Sequence, residues 1–188
     1  MKVQNILILI IIFLGLGGFF YFSNSPQPAK ETDPQEFVWL IDMDQIEHIT
    51  IDMPRQNLSE SFIKINKEDK FPWYFDDANQ TAVDSARWGG GIPLLLSGPA
   101  ADRIIAKDAS PQVLADFGLD KPLMKITLTL TGGHTMTIDV GDATPNGASN
   151  YVKAPSTNDV ALVDASWYSV LSKLVTDPPY ATAASPAS

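Results

Sequence analysis

The sequence predicts an α+β fold in which short antiparallel strands dominate and helices are few. Several segments alternate apolar and polar residues with a period of two, often with threonine at the polar positions, as in strands that bury one face. Two other segments combine a capping residue with apolar residues at helical spacing, which indicates helices. One long apolar stretch, residues 6–22, precedes all of them and predicts a single membrane helix.

Residues 1–22 are predicted to be a transmembrane anchor. Residues 6–22 carry no charge and would span roughly 25 Å as a helix, and residues 3–5 extend this to about 30 Å. Lys2 precedes the stretch and the next basic residue is Lys30. The positive-inside rule therefore predicts a single-pass membrane protein with its N-terminus in the cytoplasm and the remainder outside it. Membrane lipid is the partner expected for residues 6–22.

A retained anchor is favoured over a cleaved signal peptide. The small residues needed before a cleavage site are present at Gly15 and Gly17, but the apolar stretch continues beyond them to Phe22. Gly15, Gly17 and Gly18 would let another membrane helix approach closely. The alternative is that glycine is simply common in membrane helices.

Composition limits the classes of partner. The chain has 22 acidic and 13 basic residues, and of these only Lys2 lies within residues 1–22, so the exterior part has a clear excess of negative charge. This argues against nucleic acid as a partner, because nucleic acid requires basic patches. The chain has no cysteine, so the exterior part has neither disulfides nor thiolate chemistry. No cofactor and no metal are predicted.

The exterior part divides into a linker, a domain and a tail. Residues 23–35 contain three prolines and no periodicity, which predicts a linker. Residues 177–188 have the composition of a disordered tail. The extracytoplasmic α+β domain is predicted to span residues 36–176.

Strand predictions follow from the alternation. Apolar residues alternate with polar ones in the segments 49–53, 63–66, 124–131 and 135–140. Gly132 and Gly133 separate the last two, which predicts a β-hairpin with a two-residue turn of the primed type. Leu128, Leu130, Ile138 and Val140 are expected to share its buried face. Shorter strands are predicted at 37–41, 73–75, 103–106, 151–153 and 160–163.

Helix predictions rest on capping signals. Ser110 followed by Pro111 starts one helix, and Gly118 ends it. Asp164 caps a second helix over 165–174, with Trp167, Val170, Leu171 and Leu174 as its buried stripe. A third helix over 83–96 contains three consecutive glycines and Pro93, so we expect it to be broken.

The order of these elements suggests two similar units. Each would contain a hairpin, one or more short strands and a helix, and the units would span residues 37–100 and 101–176. Two similar units with antiparallel sheets and covering helices, following one transmembrane helix, is the predicted architecture.

A resemblance covers the second half of the chain most specifically. The segment 114–122, LADFGLDKP, is followed by the predicted hairpin, by Val140-Gly141-Asp142, and by Tyr151 and Val160-Ala161-Leu162-Val163. This pattern resembles the bacterial family known as domain of unknown function 4340. The resemblance implies an anchored, envelope-facing domain, sometimes encoded beside components of ABC-type exporters. It implies no catalytic residues.

Candidate chemistry is sparse. Asp42, Asp44 and Asp52 form an acidic segment that predicts either a partner surface or a solvated face, and it lacks the glycine turn and closing glutamate of a calcium loop. Trp73 and Trp88 predict either an exposed aromatic platform or core packing, and core packing is favoured. The two histidines have no third ligand at metal spacing.

The function predicted from the sequence is therefore association rather than catalysis. The leading hypothesis is a non-catalytic domain that binds or scaffolds protein partners as an accessory subunit of a larger membrane complex or transporter. One alternative is a carbohydrate-binding domain that uses Trp73 and Trp88. The other, the least favoured, is a hydrolase that uses the acidic segment 42–52.

Overall fold

Eight antiparallel strands form one continuous sheet in the computed structural model of the chain, which describes residues 36–65, 71–88 and 91–180. The strands are β1 (Ile46–Met53), β2 (Leu58–Lys64), β3 (Trp73–Phe75), β4 (Arg103–Ala106), β5 (Met124–Leu130), β6 (Thr135–Ala143), β7 (Ser149–Lys153) and β8 (Val160–Asp164). Their order across the sheet is β3-β2-β1-β5-β6-β7-β8-β4. The predicted α+β class with an antiparallel sheet is confirmed.

Short helices connect the strands. They are α1 (Ser85–Trp88), α2 (Ile92–Ser97), α3 (Pro111–Asp116) and α4 (Ala165–Thr176), with a 3₁₀ turn at Met43–Gln45. The Ser110 side chain caps α3 by accepting a hydrogen bond from the backbone N–H of Val113, and Asp164 caps α4 through Ser166. The segment predicted as one broken helix over 83–96 contains two helices, α1 and α2, and Pro93 lies in the first turn of α2.

The β5–β6 hairpin forms as predicted, but its turn is of a different type. The Leu130 carbonyl accepts a hydrogen bond of 2.9 Å from the N–H of Gly133, so Thr131 and Gly132 are the central residues of the turn. Gly132 has a φ of 88°. A positive φ at the second central position is what a type II turn requires. The connection is therefore not a two-residue primed turn centred on Gly132 and Gly133.

Strand β2 buries the opposite face from the one its isoleucines suggest. Phe62 is fully buried and pairs with Ile49 of β1, whereas Ile63 is only half-buried. Successive side chains of a strand point to opposite faces, so the aromatic residue and not the isoleucine faces the core. The strand predicted at 37–41 is also absent, since only Phe37 forms a bridge there, with Ala100.

The main core lies between the helices and one face of the sheet. Ile49, Ile51 and Leu128 from the central strands are fully buried there with Trp167 and Leu171 of α4. Leu130, which was predicted to share this face, is only half-buried.

A smaller cluster lies on the opposite face of the sheet. Tyr151 and Val152 are neighbours in β7 and therefore point to opposite faces. Val152 belongs to the main core, and Tyr151 packs with Leu119 and Val160 in the smaller cluster.

The two predicted units, 37–100 and 101–176, contribute to the same sheet. Strand β1 of the first pairs directly with β5 of the second, from Ile46 opposite Leu130 to Asp52 opposite Lys125. The sheet is therefore continuous across the predicted boundary.

The predicted anchor and linker, residues 1–35, lie outside the described residues, as do residues 181–188 of the predicted tail. Among the described residues, none of the helices is long and apolar enough to cross a membrane. The first part of the predicted tail is packed rather than free, because Tyr180 stacks on Phe75 at 4.2 Å and forms a bridge with Val83.

Candidate protein-interaction surface

The three aspartates predicted as a partner surface do not lie together. Asp42 caps the 3₁₀ turn by accepting a hydrogen bond from the N–H of Asp44, so both precede β1. Asp52 is the next-to-last residue of β1 and binds the hydroxyl of Ser59 at 2.6 Å. Since β1 has eight residues, it separates Asp52 from the other two by roughly 25 Å. The acidic segment is continuous in sequence but divided in space.

Trp73 and Trp88 come together, but inside the core. Their rings lie 5.5 Å apart, and the two residues are only 5% and 1% exposed. Trp88 also packs edge-to-face on Phe62 at 4.7 Å. Of the two alternatives for these tryptophans, the structure shows core packing, which was the favoured one, and their prediction as a partner surface is corrected.

The remaining predicted site residues are Gly15, Gly17 and Gly18, which lie outside the described residues. Within the described ranges, no group of three or more histidine, aspartate or glutamate side chains is arranged to hold a metal ion. His48 forms a pair with Asp76 at 2.9 Å on the polar face of the sheet.

An apolar strip on the helical side of the domain is the surface that sequence reasoning missed. Four large apolar side chains stand out from it into solvent: Phe37 and Leu40 are 43% and 71% exposed, and Leu94 of α2 and Val170 of α4 are 62% and 41% exposed. Val170 was predicted in the buried stripe of α4. Exposed apolar side chains that cluster in this way mark sites of association.

Two shallow hollows accompany these side chains. The first, of about 480 Å³, is lined by Phe37, Leu40, Leu94 and Trp167, among others. The second, of about 420 Å³, lies on the other side of Leu95 and includes Val170. Leu95 lines both hollows, so they are parts of one surface. We call this surface, from Phe37 to Val170, the apolar strip.

The sequence did contain a signal for the strip. Leu94, Leu95 and Leu96 are consecutive in a helix of six residues. Consecutive residues of a helix point about 100° apart, so three leucines in a row cannot all face one sheet. Leu96 is fully buried, Leu95 is half-buried and Leu94 points outward.

Opposite charges mark the two ends of the strip. Asp102 and Asp164 line the first hollow, and no basic residue lines it. Hydrogen bonds from the hydroxyl and the backbone N–H of Ser166 hold the pKa of Asp164 below its ordinary value, so this carboxylate stays ionised. Lys173 and Arg87 line the second hollow. Arg87 is already paired with Asp177 at 2.7 Å.

A second notable arrangement joins the FGLDKP segment to the β1–β2 turn. Arg55 donates hydrogen bonds to the carbonyls of Lys121 and Gly118, at 2.7 and 3.3 Å, and to the carboxylate of Asp142 at 2.7 Å. The N–H of Asp142 donates to the carbonyl of Phe117 at 2.9 Å. These contacts hold a loop in place and present no unpaired reactive group, so we interpret them as structural.

The glycines of this segment allow the close approach. Gly118 has a φ of 68°, which favours glycine, and ends α3. A β-carbon added at Gly141 would collide with the backbone carbonyl of Phe117. We call these contacts between 117–121 and 141–142, with Arg55, the motif corner.

The polar face of the sheet carries a row of charges. Asp139 of β6 is only 7% exposed and lies between Lys125 and Lys153 of the neighbouring strands, at 3.3 and 3.1 Å. The two lysines compensate the buried carboxylate. This row is a cross-strand ion network, in which Oδ1 of the buried Asp139 has the Lys125 ammonium as an ion partner but accepts no hydrogen bond.

Comparisons with known proteins agree with the resemblance. Residues 92–177 match the family model described as Domain of unknown function (DUF4340), and the match spans α2 to the end of α4. The motif corner lies within it, apart from Arg55. No curated protein and no solved structure matches the chain.

Proposed function

We propose that this protein, whose residues 92–177 match the model of the DUF4340 family, is a single-pass protein of the bacterial cytoplasmic membrane whose extracytoplasmic domain binds or scaffolds protein partners. It catalyses no reaction, and it serves as an accessory subunit of a larger membrane complex or transporter. The observation that supports this function best is the apolar strip.

The strip has the character of a protein-binding surface. Leu40 and Leu94 are more than half exposed. Contact with a partner would remove their apolar surface from water, which is favourable. Its hollows are shallow and open, and lack the few convergent polar groups that orient a small molecule in a ligand pocket. Apolar centres with charged margins are typical of protein interfaces.

The position of the strip fits an anchored protein. Phe37 and Leu40 follow directly on the predicted linker, residues 23–35, which spans at most about 45 Å when fully extended. In the proposed single-pass protein, the linker therefore limits the distance of the domain, and of any partner it binds, from the membrane. This supports a partner that is itself a membrane protein or is bound to one.

The alternatives have less support. A carbohydrate-binding domain would need exposed rings, whereas Trp73 and Trp88 are buried. A hydrolase would need its carboxylates within one site, whereas Asp42 and Asp52 lie at opposite ends of β1.

We also infer that the sheet contains two similar units, in line with the predicted duplication. The meanders β1-β2-β3 and β5-β6-β7 lie on either side of the antiparallel β1–β5 pair. An approximate two-fold axis between β1 and β5 would relate them, and this topology supports the inference.

The test compares two single variants of the full-length protein in native membranes. Leu94→Asp places a charge in the strip, and Thr135→Asp places one on the polar face of β6, where Thr135 is exposed. Both side chains face solvent, so each change should alter the free energy of unfolding by about 0.5 kcal/mol or less. After gentle detergent extraction, native electrophoresis should show a complex that Leu94→Asp disrupts and Thr135→Asp leaves intact.

Two further results bear on the proposal. Replacing residues 6–22 with an unrelated membrane helix should weaken the complex while the domain stays folded. If the extracted protein instead turned over a substrate, and changing Asp42, Asp44 and Asp52 to asparagine abolished turnover without unfolding, the hydrolase alternative would replace this proposal.

A further inference from the structure

The apolar strip has a direction that is set by α4. Asp164 caps the N-terminus of this helix in the first hollow, and Lys173, nine residues later, lines the second. At 1.5 Å per residue the two positions lie roughly 13 Å apart along the helix. The apolar side chains of Leu94 and Val170 protrude between these charged ends.

The charges at the ends are available for a partner. Asp102 and Asp164 are exposed and have only hydroxyl or backbone partners, since Asp102 accepts from Ser149 and Asp164 from Ser166. Lys173 is exposed, and among the described residues its side chain has no hydrogen bond or ion pair. One end of the strip therefore has two unneutralised negative charges and the other has one unneutralised positive charge.

We infer that the occupant of the strip is a second copy of this chain, bound about a two-fold axis. An isologous interface places each surface against itself in reverse order. The acidic end of one strip then meets the basic end of the other, so Lys173 of each copy faces Asp102 and Asp164 of its partner. The exposed apolar side chains of both copies meet between them. This inference rests on the proposed function and names the protein that occupies its surface.

Other occupants fit the strip less well. An anionic lipid surface is repelled by the two carboxylates at the acidic end of the strip. A protein of unrelated sequence would have to supply an apolar ridge with a base at one end and an acid at the other. A second copy has both in the required order.

Cysteine cross-linking tests the geometry directly, because the natural chain has no cysteine. Two full-length chains with different tags are co-expressed, one with Leu94→Cys and the other with Val170→Cys. A two-fold axis that passes between positions 94 and 170 brings position 94 of one copy near position 170 of the other. Mild oxidation in intact membranes should give a disulfide-linked dimer that contains both tags. Pairing either variant with Thr135→Cys, on the opposite face of the sheet, should give none.

Charge reversal tests the order of the ends. Lys173→Asp and Asp102→Lys, each made alone in both copies, set like charges against each other twice per dimer, which should raise the dimer dissociation constant about tenfold. When one chain carries Lys173→Asp and the other carries Asp102→Lys, both pairs between positions 102 and 173 are again of opposite sign. One like-charge contact is left, between position 173 of the first chain and Asp164 of the second. The mixed dimer should therefore form more tightly than either single-variant dimer.

The outcomes separate this inference from the proposed function. If no mixed-tag dimer forms but Leu94→Asp still disrupts a complex, the partner is a different protein and the inference is overturned while the proposed function stands. A cross-link to another protein, or protection of both cysteines by lipid alone, overturns it as well. If Leu94→Asp disrupts nothing and no dimer forms, both are wrong. Failure of the paired reversal to tighten the dimer relative to the single variants would contradict the two-fold arrangement.

Discussion

Replacing Gly141 with alanine tests whether the motif corner is held by close packing. The added β-carbon would lie far inside contact distance of the Phe117 carbonyl, and the next nearest atoms belong to Leu119, at 3.0 and 3.1 Å. The obstacle is mainly backbone, which cannot rotate away as a flexible side chain would. The two segments must therefore move apart.

The expected cost follows from these contacts. Overpacking of a close-packed site costs about 1–3 kcal/mol. Separating the segments also stretches the hydrogen bond from the N–H of Asp142 to the carbonyl of Phe117, which contributes about 0.5–1.5 kcal/mol. We therefore expect Gly141→Ala to lower the free energy of unfolding by about 2–4 kcal/mol.

Gly147→Ala is the matched control. Gly147 has a φ of 70°, and a β-carbon there would meet nothing within 4 Å. Alanine at that position has only the backbone cost of a left-handed conformation, about 1–2 kcal/mol. Urea denaturation followed by tryptophan fluorescence suits the comparison, because all four tryptophans are buried. A loss at Gly141 no larger than the loss at Gly147 would refute the packing argument.

Two further predictions concern the core and the pH dependence of stability. Leu128→Ala removes a fully buried side chain at the centre of the sheet and should lower the free energy of unfolding by about 2–5 kcal/mol. Leu130→Ala, at the half-buried end of the strand, should cost less. A loss below about 0.5 kcal/mol for Leu128→Ala would contradict the assigned face. Hydrogen bonds from Ser166 lower the pKa of Asp164 in the folded state. The ionised cap therefore contributes its full stability above the unfolded pKa of about 4. This contribution is lost as the pH falls through the lower pKa of the folded state. Asp164→Asn should keep a cap but remove this pH dependence. Acid titration of both proteins, followed by the far-UV circular dichroism of their helices, would measure the difference.

The sequence predicted those elements that local chemistry determines. The bounds of β3 and β4 match the predicted segments 73–75 and 103–106, and α3 begins after the capping serine at 110. Each of these depends on residues adjacent in the chain. Alternation, capping and the stop at Gly118 act within a few residues, so no distant contact can override them easily.

Predictions that depended on distant contacts were less successful. Ile63 and Phe62 are both apolar, and the alternation alone does not say which faces the core. The core contains Trp73 and Phe75 of β3 and Trp88 of α1, and Phe62 packs on Phe75 and Trp88. An aromatic side chain fills that space better than isoleucine, and this information is spread over more than 25 residues of sequence. The motif corner depends on Arg55 in the same way, since its three partners lie more than 60 residues away.

The apolar strip shows why the candidate site was the part of the molecule that the sequence predicted least well. Periodicity identifies residues that avoid water, and a residue that packs on a partner avoids water as much as one that packs on the sheet. Val170 was therefore assigned to the buried stripe of α4 with Leu171, although Val170 faces outward and Leu171 is fully buried. The acidic segment was misleading for a different reason. Asp42 and Asp52 are close in sequence, which suggested one surface, but they are far apart in space. A partner surface is defined by which apolar residues remain exposed after the core is complete, so it emerges only once the domain has been folded in full.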